Sequence, residues 1–227
     1  MEKTHLSASS EKSAVSSLVK MVKRCVPDSV KLASKARLRP GGRIGLNLPD
    51  RIFLEQVSIP WFAEQEETRS VLDVGTDWYT WKYEVLFPGM EYQSIDFDAA
   101  KAKFASPNHV VGSILELDQY FEENRFDLII CNGVFGWGVD DCADIETAVS
   151  QFFRVLRPGG YLVIGWNDND DHRPEGFEKT DVKGFERFVL PPIESDHFNS
   201  AGSNRHQFRF YRSVKSASVS SQHETIL

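Results

Sequence analysis

The stretch VLDVGTDWYTWKYEVLFPGMEYQSIDFD, Val71–Asp98, constrains the fold more than any other part of the chain. A short apolar run bends at Gly75, passes through an aromatic segment, and is followed by a second apolar run that ends in acids. Buried strand, tight turn, helix and second strand in that order form the first half of a nucleotide-binding α/β unit. Gly75 has no side chain, so the backbone there can pass close to a ligand. The amides beyond it are expected to open a helix whose positive end favours anionic groups. Asp96 lies 21 residues after Gly75, about the separation at which an acid accepts hydrogen bonds from ribose hydroxyls.

The pattern continues as apolar runs alternating with helical stretches. Strands are expected at Val71–Val74, Glu91–Ile95, His109–Val111, Phe126–Cys131 and Tyr161–Trp166. Helical segments are expected at Trp78–Leu86, Ala99–Phe104, Ile114–Phe121 and Ile145–Leu156, with Pro158-Gly159-Gly160 as a turn. Such β-α alternation argues for a parallel sheet with helices on both faces. Right-handed crossovers then bring the C-terminal strand ends, and any ligand, to one edge. Phe185–Leu190 and Gln207–Tyr211 read as two final strands, an antiparallel pair at the sheet edge.

Ahead of this unit the chain reads differently. Residues 1–12 are polar and expected to be disordered. Apolar positions from Ala14 to Val26 recur at helical spacing and stop at Pro27. A Lys-rich second helix is expected up to Pro40, and a third from an N-cap at Asp50, bent or interrupted by Pro60. The expected organisation is a helical cap over 13–69, an α/β domain over 70–213 and a flexible tail over 214–227. Residues 1–45 hold ten Lys/Arg against three acids, so a whole-chain charge of −7 leaves the remainder at −14. A body so acidic argues against nucleic-acid binding, which rests largely on cationic contacts. No apolar run reaches the roughly 18 residues that span a bilayer. Three cysteines without CxxC spacing suggest neither disulfides nor zinc. A cytoplasmic setting is the expectation.

With those residues in hand, the order from Val71 to Trp166 resembles the class I S-adenosylmethionine-dependent methyltransferases. VLDVG is similar to that family's first motif, YQSIDFD to its ribose-binding strand end, FDLIICNGVFGWG to its fourth-strand segment, and FFRVLRPGGYLVIGW to the helix-turn-strand that follows. The resemblance covers roughly residues 70–166. It implies a Rossmann-like α/β sandwich, a mostly parallel seven-stranded sheet with an antiparallel C-terminal edge, N-terminal helices, and S-adenosylmethionine as cofactor. It also implies that Asp73, Gly75, Thr76, Asp77 and Trp78 shape the methionine end of the pocket. Asp96 would bind ribose, with Phe97 beside the adenine. Ser113 and Ile114 would flank the adenine ring, and Asn132 and Gly133 would line the pocket near the methyl group. Two features depart from the family. Asp77 and Tyr79 stand where it usually has glycines, and Ser113 stands where it often has an acid.

The aromatic residues Trp78, Tyr79 and Trp81 are either a wall beside a sulfonium or core residues of a helix. No residue is assigned as catalytic. Candidate bases lie after the fifth strand, in Asn167-Asp168-Asn169-Asp170-Asp171-His172, and at His197, where a solvated acidic loop is the simpler reading; His109 and His206 read as structural. No metal site is expected: the acidic loop has Arg173 where a calcium loop needs glycine. The expected activity is methyl transfer to a small molecule, with a hydroxyl oxygen as the suggested target. The basic residues Lys31, Lys35, Arg37, Arg39 and Arg43 suggest an anionic acceptor. The alternatives are another enzyme on the same fold and a binding or regulatory protein that does not methylate.

Overall fold

The computed structural model describes residues 35–175 and 182–216, together with Ala33 and Phe177. The expected helix from Ala14 to Val26 lies outside these residues, as does most of the Lys-rich second helix. Of that second segment Ala33 is helical, and the chain is extended from Ala36. Ala36–Leu38 (β1) pairs antiparallel with Ile44–Leu46 (β2) across a 3-10 turn at Pro40–Gly42. The next helix starts at Pro49 and is capped by Leu48, with Asp50 already in its first turn. It runs as α1 (Pro49–Phe53), a π-helical turn (Leu54–Ser58) and α2 (Ile59–Ala63). Pro60 therefore does not interrupt it. The wide π turn falls where proline has no N–H to give and would crowd the carbonyl one α-turn back.

The central sheet is assembled from Ser70–Val74 (β3), Glu91–Asp96 (β4), His109–Val111 (β5), Phe126–Asn132 (β6), Leu156–Asn167 (β7), Phe185–Arg187 (β8), His197–Asn199 (β9) and His206–Ser213 (β10). Its order is β5-β4-β3-β6-β7-β10-β8, with β9 also paired to β10. β3 to β7 pair parallel among themselves, and β10 is antiparallel to β7, β8 and β9. The fold is thus the expected mostly parallel α/β sandwich with an antiparallel edge. The C-terminal edge has a third strand, β9, that the alternation of apolar residues did not announce.

The central strands β3 and β6 are buried along their whole length, which is why they read as continuous apolar runs. The helix α3 (Cys142–Val155), capped by Asp141, buries Ile145, Ala148, Val149, Phe152 and Val155 on one face of the sheet. On the other face, Phe53, Leu54, Ile59 and Phe62 from α1, the π turn and α2 pack on Val71, Leu128, Val163 and Phe210.

The remaining crossovers are short. The expected helix at Trp78–Leu86 is two 3-10 turns, Trp78–Thr80 and Tyr83–Leu86, separated by Lys82 in the left-handed region at φ 61°. The segments Ala99–Phe104 and Ile114–Gln119 are 3-10 helical too.

The strand order reverses between β3 and β6, since β3 leads outward to β4 and β5 while the chain returns on β6. Ligands of open α/β sheets bind in the crevice outside the strand ends at such a point. Gly75 and Asn132–Gly133 stand there.

Candidate functional site

The β3–β4 half of this edge is shaped by Gly75. Its φ of +89° suits glycine, and a Cβ there would lie 2.8 Å from Val134 Cγ2. The residue therefore admits a close approach, but the nearest occupant of that space is the Val134 side chain. The amides that follow are committed within the protein. Gly75 N–H donates to the Ile95 carbonyl at 3.0 Å, and Thr76 N–H to Asp96 Oδ2 at 2.7 Å. Asp77 N–H donates to Thr80 Oγ1 at 2.9 Å, and Trp78 N–H to Asp77 Oδ1 at 2.7 Å. The expected helix opening with free amides is absent here. Asp77 and Thr80 cap each other instead, and a single 3-10 turn has too few aligned peptides to act as a positive helix end.

Asp96 is buried at the end of β4 and also accepts from Asp98 N–H through Oδ1 at 2.8 Å. Lys101 Nζ lies 3.8 Å from its Oδ2 and 3.7 Å from Asp77 Oδ2. Phe97, the next residue, is 71% exposed, and Gly138 across the edge is placed so that a Cβ would touch its ring at 3.9 Å. Ser113 caps the turn that starts at Ile114, its hydroxyl accepting from Leu115 N–H at 3.2 Å, and Ile114 is buried. Trp78 packs edge-on against Tyr79, whereas Trp81 stacks beneath Lys82, so these aromatics do not form one wall.

Beneath the turn lies a buried polar network. Asp73 accepts from the Tyr92 hydroxyl at 2.6 Å, and burial pushes its carboxyl up to about 7. Arg51, also buried, sits over the Tyr79 ring at 4.6 Å and 3.7 Å from Asp50. Burial alone would lower its pKa, but Tyr83, Tyr79 and Asp50 outweigh that and hold it charged. Its Nη2 lies 3.8 Å from where a Gly133 Cβ would stand, which puts a fixed positive charge at the end of β6. Glu55 takes the Tyr83 hydroxyl at 3.0 Å, Arg43 at 3.1 Å and Arg39 at 3.5 Å. Arg39 and Arg43, expected to greet an anionic acceptor, are thus paired inside the protein. Lys35 and Arg37 are exposed, and Lys31 lies outside the described residues.

The β6–β7–β10 half holds residues that spacing did not bring together. Because β10 runs antiparallel, its first residue reaches the same edge as the last residues of β6 and β7. His206 is buried there between Asn132, 2.8 Å from its Nε2, and Asn167, 2.7 Å from its Nδ1. Asn132 Nδ2 is buried without a partner. In the loop after β7, His172 stacks on Trp137 at 3.6 Å, and its Nδ1 lies 3.2 Å from the Gly136 carbonyl. A carbonyl only accepts, so Nδ1 carries the proton and Nε2 of the neutral ring keeps a lone pair suited to a base. His197 is exposed and paired with Asp196 at 2.8 Å. Among the described residues no group of three His, Cys, Asp or Glu side chains gathers to hold a metal, and no helix is long and apolar enough to cross a membrane.

The arrangement offers an aromatic platform and a buried carboxylate at one end, a fixed cation at the switch point, and an amide with an unused arm. Comparisons with known proteins bear on the fold that carries this edge. Residues 75–164 match the family model described as a methyltransferase domain. A nodulation protein S of Rhizobium tropici is 32% identical over 68 residues, 30% of this chain and 28% of its own length. The solved N-methyltransferase NodS of Bradyrhizobium japonicum WM9, in complex with S-adenosyl-l-homocysteine, is 14% identical with a TM-score of 0.56, over 74% of this chain and 90% of that one. A TehB-like SAM-dependent methyltransferase of Corynebacterium glutamicum is 20% identical with a TM-score of 0.52, over 68% and 86%. The chain spans less than half the length of the curated relatives it matches.

Proposed function

We propose that this chain, which belongs to the class I S-adenosylmethionine-dependent methyltransferase family, binds S-adenosylmethionine at the C-terminal edge of β3, β4 and β6 and methylates a small molecule. The observation that carries the reading is the pairing of a buried carboxylate, Asp96, with an exposed ring, Phe97, beside the point where the strand order reverses. The residues present fit the cofactor. Each Asp96 oxygen accepts one backbone N–H and keeps a second lone pair for a ribose hydroxyl. Phe97 offers a flat apolar face to an adenine, with Ser113 and Ile114 on the adjoining strand end. Arg51 offers a charge-assisted partner for a carboxylate where the turn at Thr76–Trp78 has no free amide. When bound, the cofactor supplies an electrophilic methyl on a sulfonium. The protein's part is to hold donor and acceptor in line and to keep water out, and positioning of this kind can supply much of the acceleration.

Oxygen and nitrogen acceptors both suit this edge. Nitrogen is supported by the similar solved structure, which is that of an N-methyltransferase. Oxygen is supported by the loop after β7, where His172 has a fixed tautomer suited to taking a hydroxyl proton. Calorimetry with S-adenosylmethionine and S-adenosylhomocysteine tests the cofactor, and methyl transfer from labelled donor to a panel of small alcohols, phenols and amines tests the reaction. Micromolar binding of both ligands is expected. No heat at millimolar ligand would overturn the reading and favour a protein that uses the fold without methylating.

A further inference from the structure

Arg51 is a buried cation without a close anion. Among the described residues Asp50 alone forms an ion pair with it, and that carboxylate stands 3.7 Å from Nε. Asp73, another acid that feels its charge, already accepts from the Tyr92 hydroxyl at 2.6 Å. Tyr83 offers it a neutral oxygen, whose own proton goes to Glu55 at 3.0 Å. A charge taken out of water is costly unless it is paired and hydrogen-bonded, so a guanidinium held this way is set for an anion from outside the fold. It also reaches the ligand edge. Nη2 is 3.8 Å from where a Gly133 Cβ would stand, and a Cβ on Gly75 would lie 3.7 Å from the Asn132 carbonyl, so the cation sits where the β3 turn faces the end of β6. Tyr79 supplies the remaining contact, its ring lying 4.6 Å from the guanidinium carbon. A ring face attracts the cation without taking its in-plane N–H donors, as a closer carboxylate would. The ring is aimed by the turn Trp78–Thr80, which Asp77 and Thr80 fix by capping each other.

We propose that Tyr79 is a positioning residue: its ring holds the Arg51 guanidinium between Gly75 and Gly133, where the cation takes the carboxylate of the cofactor's amino-acid end, and this contact couples cofactor binding to the N-terminal elements. The inference rests on the methyl-transfer reading above and deepens it. It gives a purpose to the aromatic residue that stands where the family usually has glycine, since a glycine has no ring to hold a cation. It also follows from the turn itself, whose amides from Gly75 to Trp78 are all committed within the protein. The coupling comes from where Arg51 is carried. It belongs to α1, and Glu55, four residues on, gathers Arg39 and Arg43 from the β1–β2 ribbon together with Tyr83. A carboxylate that bonds Arg51 therefore stabilises α1 and the ribbon in their docked place.

Two measurements on the full chain test this without an identified acceptor. The first is calorimetry with S-adenosylhomocysteine and with 5′-deoxy-5′-(3-aminopropylthio)adenosine, which differs from it by lacking the carboxylate. Wild type is expected to prefer S-adenosylhomocysteine by about tenfold or more, the scale of one charge-assisted hydrogen bond. Arg51→Met should bring the two affinities within about threefold of each other. Tyr79→Leu should cut the preference by about three- to tenfold, and Tyr79→Phe, which keeps the ring, should retain it. A merely structural tyrosine would weaken both ligands alike and leave their ratio unmoved. The second measurement is amide hydrogen exchange of wild type saturated with each ligand. S-adenosylhomocysteine is expected to slow exchange in α1 and β1–β2 more than the decarboxylated analogue does; equal protection by both would overturn the coupling. If wild type binds neither ligand, the methyl-transfer reading falls and this one with it. If both bind and the preference survives Arg51→Met, only the carboxylate contact falls. If it survives Tyr79→Leu, the positioning role of Tyr79 falls. Should either variant fail to fold, the wild-type preference and its exchange pattern still decide.

Discussion

At the β3–β4 end of the ligand edge, the amides of Gly75, Thr76, Asp77 and Trp78 all reach acceptors inside the protein. At the β6–β7–β10 end, Asn132 has an amide arm with no partner, and His206 faces two oxygens with one proton to give. Both ends are buried and polar, but the first has its backbone amides paired and only the Thr76 hydroxyl without a partner, while the second leaves an amide arm open beside a ring that faces two oxygens. Buried polar groups are nearly always satisfied, so an unsatisfied one needs a cause. The recognisable motif therefore marks where the backbone is shaped, while the open polar groups mark an end whose hydrogen bonds the described residues do not complete.

The largest effect expected from this contrast is on Asp96. Asp96→Ala strips the acceptor from the buried Thr76 and the Asp98 amides together, which costs about 2–5 kcal/mol at the usual toll for unpaired groups. Urea denaturation reads this as a lowered midpoint at constant slope. Asn132→Ala should cost less, about 1–2 kcal/mol, because one arm of that amide is already without a partner. If Asn132→Ala proves the more damaging, the closed and open ends have been assigned the wrong way round.

The two ends also titrate in opposite senses. Asp73, under the turn, has its carboxyl raised from 3.8 to about 7 by burial. Between those values the folded protein holds a proton that the unfolded chain has lost, so this group's stabilisation is lost as pH rises from about 4 to 7. His206 is lowered from 6.5 to about 3 by burial and Arg51. There the unfolded chain binds the proton, so stability is lost as pH falls from about 6.5 to 3. Each slope reaches at most about 1.4 kcal/mol per pH unit. In wild type the two nearly cancel between about pH 4 and 6.5. Asp73→Asn should unmask a stability that rises with pH over that range, and His206→Gln one that falls. Denaturation midpoints at four pH values are enough to see either slope, and parallel curves for both variants would remove the contrast.

Much of the fold was legible in the sequence because β3, β6 and β7 are buried on both faces and read as unbroken apolar runs. α3 was legible from its single apolar stripe. The segment Trp78–Leu86 misled because its large side chains recur at helical spacing, while the turn is stopped by the mutual capping of Asp77 and Thr80 and by Lys82 at positive φ. β1 and β2 were missed because strands of three residues are too short to carry a periodic signal; Arg39 and Arg43, in the turn between them, converge on Glu55. Asn132, Asn167 and His206 are far apart in the chain and meet only through strand order. The one clue was that an antiparallel last strand must begin at the edge where the parallel strands end, which made the residue just before QFRFY worth attention. Individual site roles for Asp73, Gly75, Thr76, Asp77, Trp78 and Gly133 remain readings of position, to be judged by ligand titration of their variants.

The smallest expected effect bears on what closes the β3–β4 end. Lys101 bridges Asp96 and Asp77 at 3.8 Å and 3.7 Å, but its side chain is 35% exposed and so is that of Asp77 to a similar degree. Exposed ion pairs contribute about 0–1 kcal/mol and are screened by salt, whereas the amide hydrogen bonds to Asp96 are buried and short. If the turn is closed by those amides, Lys101→Met should cost under about 1 kcal/mol, and raising ionic strength should change wild type and variant alike. The Thr76 and Asp98 amides should keep their slow hydrogen exchange in the variant. A loss of more than about 2 kcal/mol that salt reproduces in wild type would mean that charge, not backbone geometry, holds the turn. The closed end would then be an electrostatic clamp that an anionic or hydroxyl-bearing ligand could compete for.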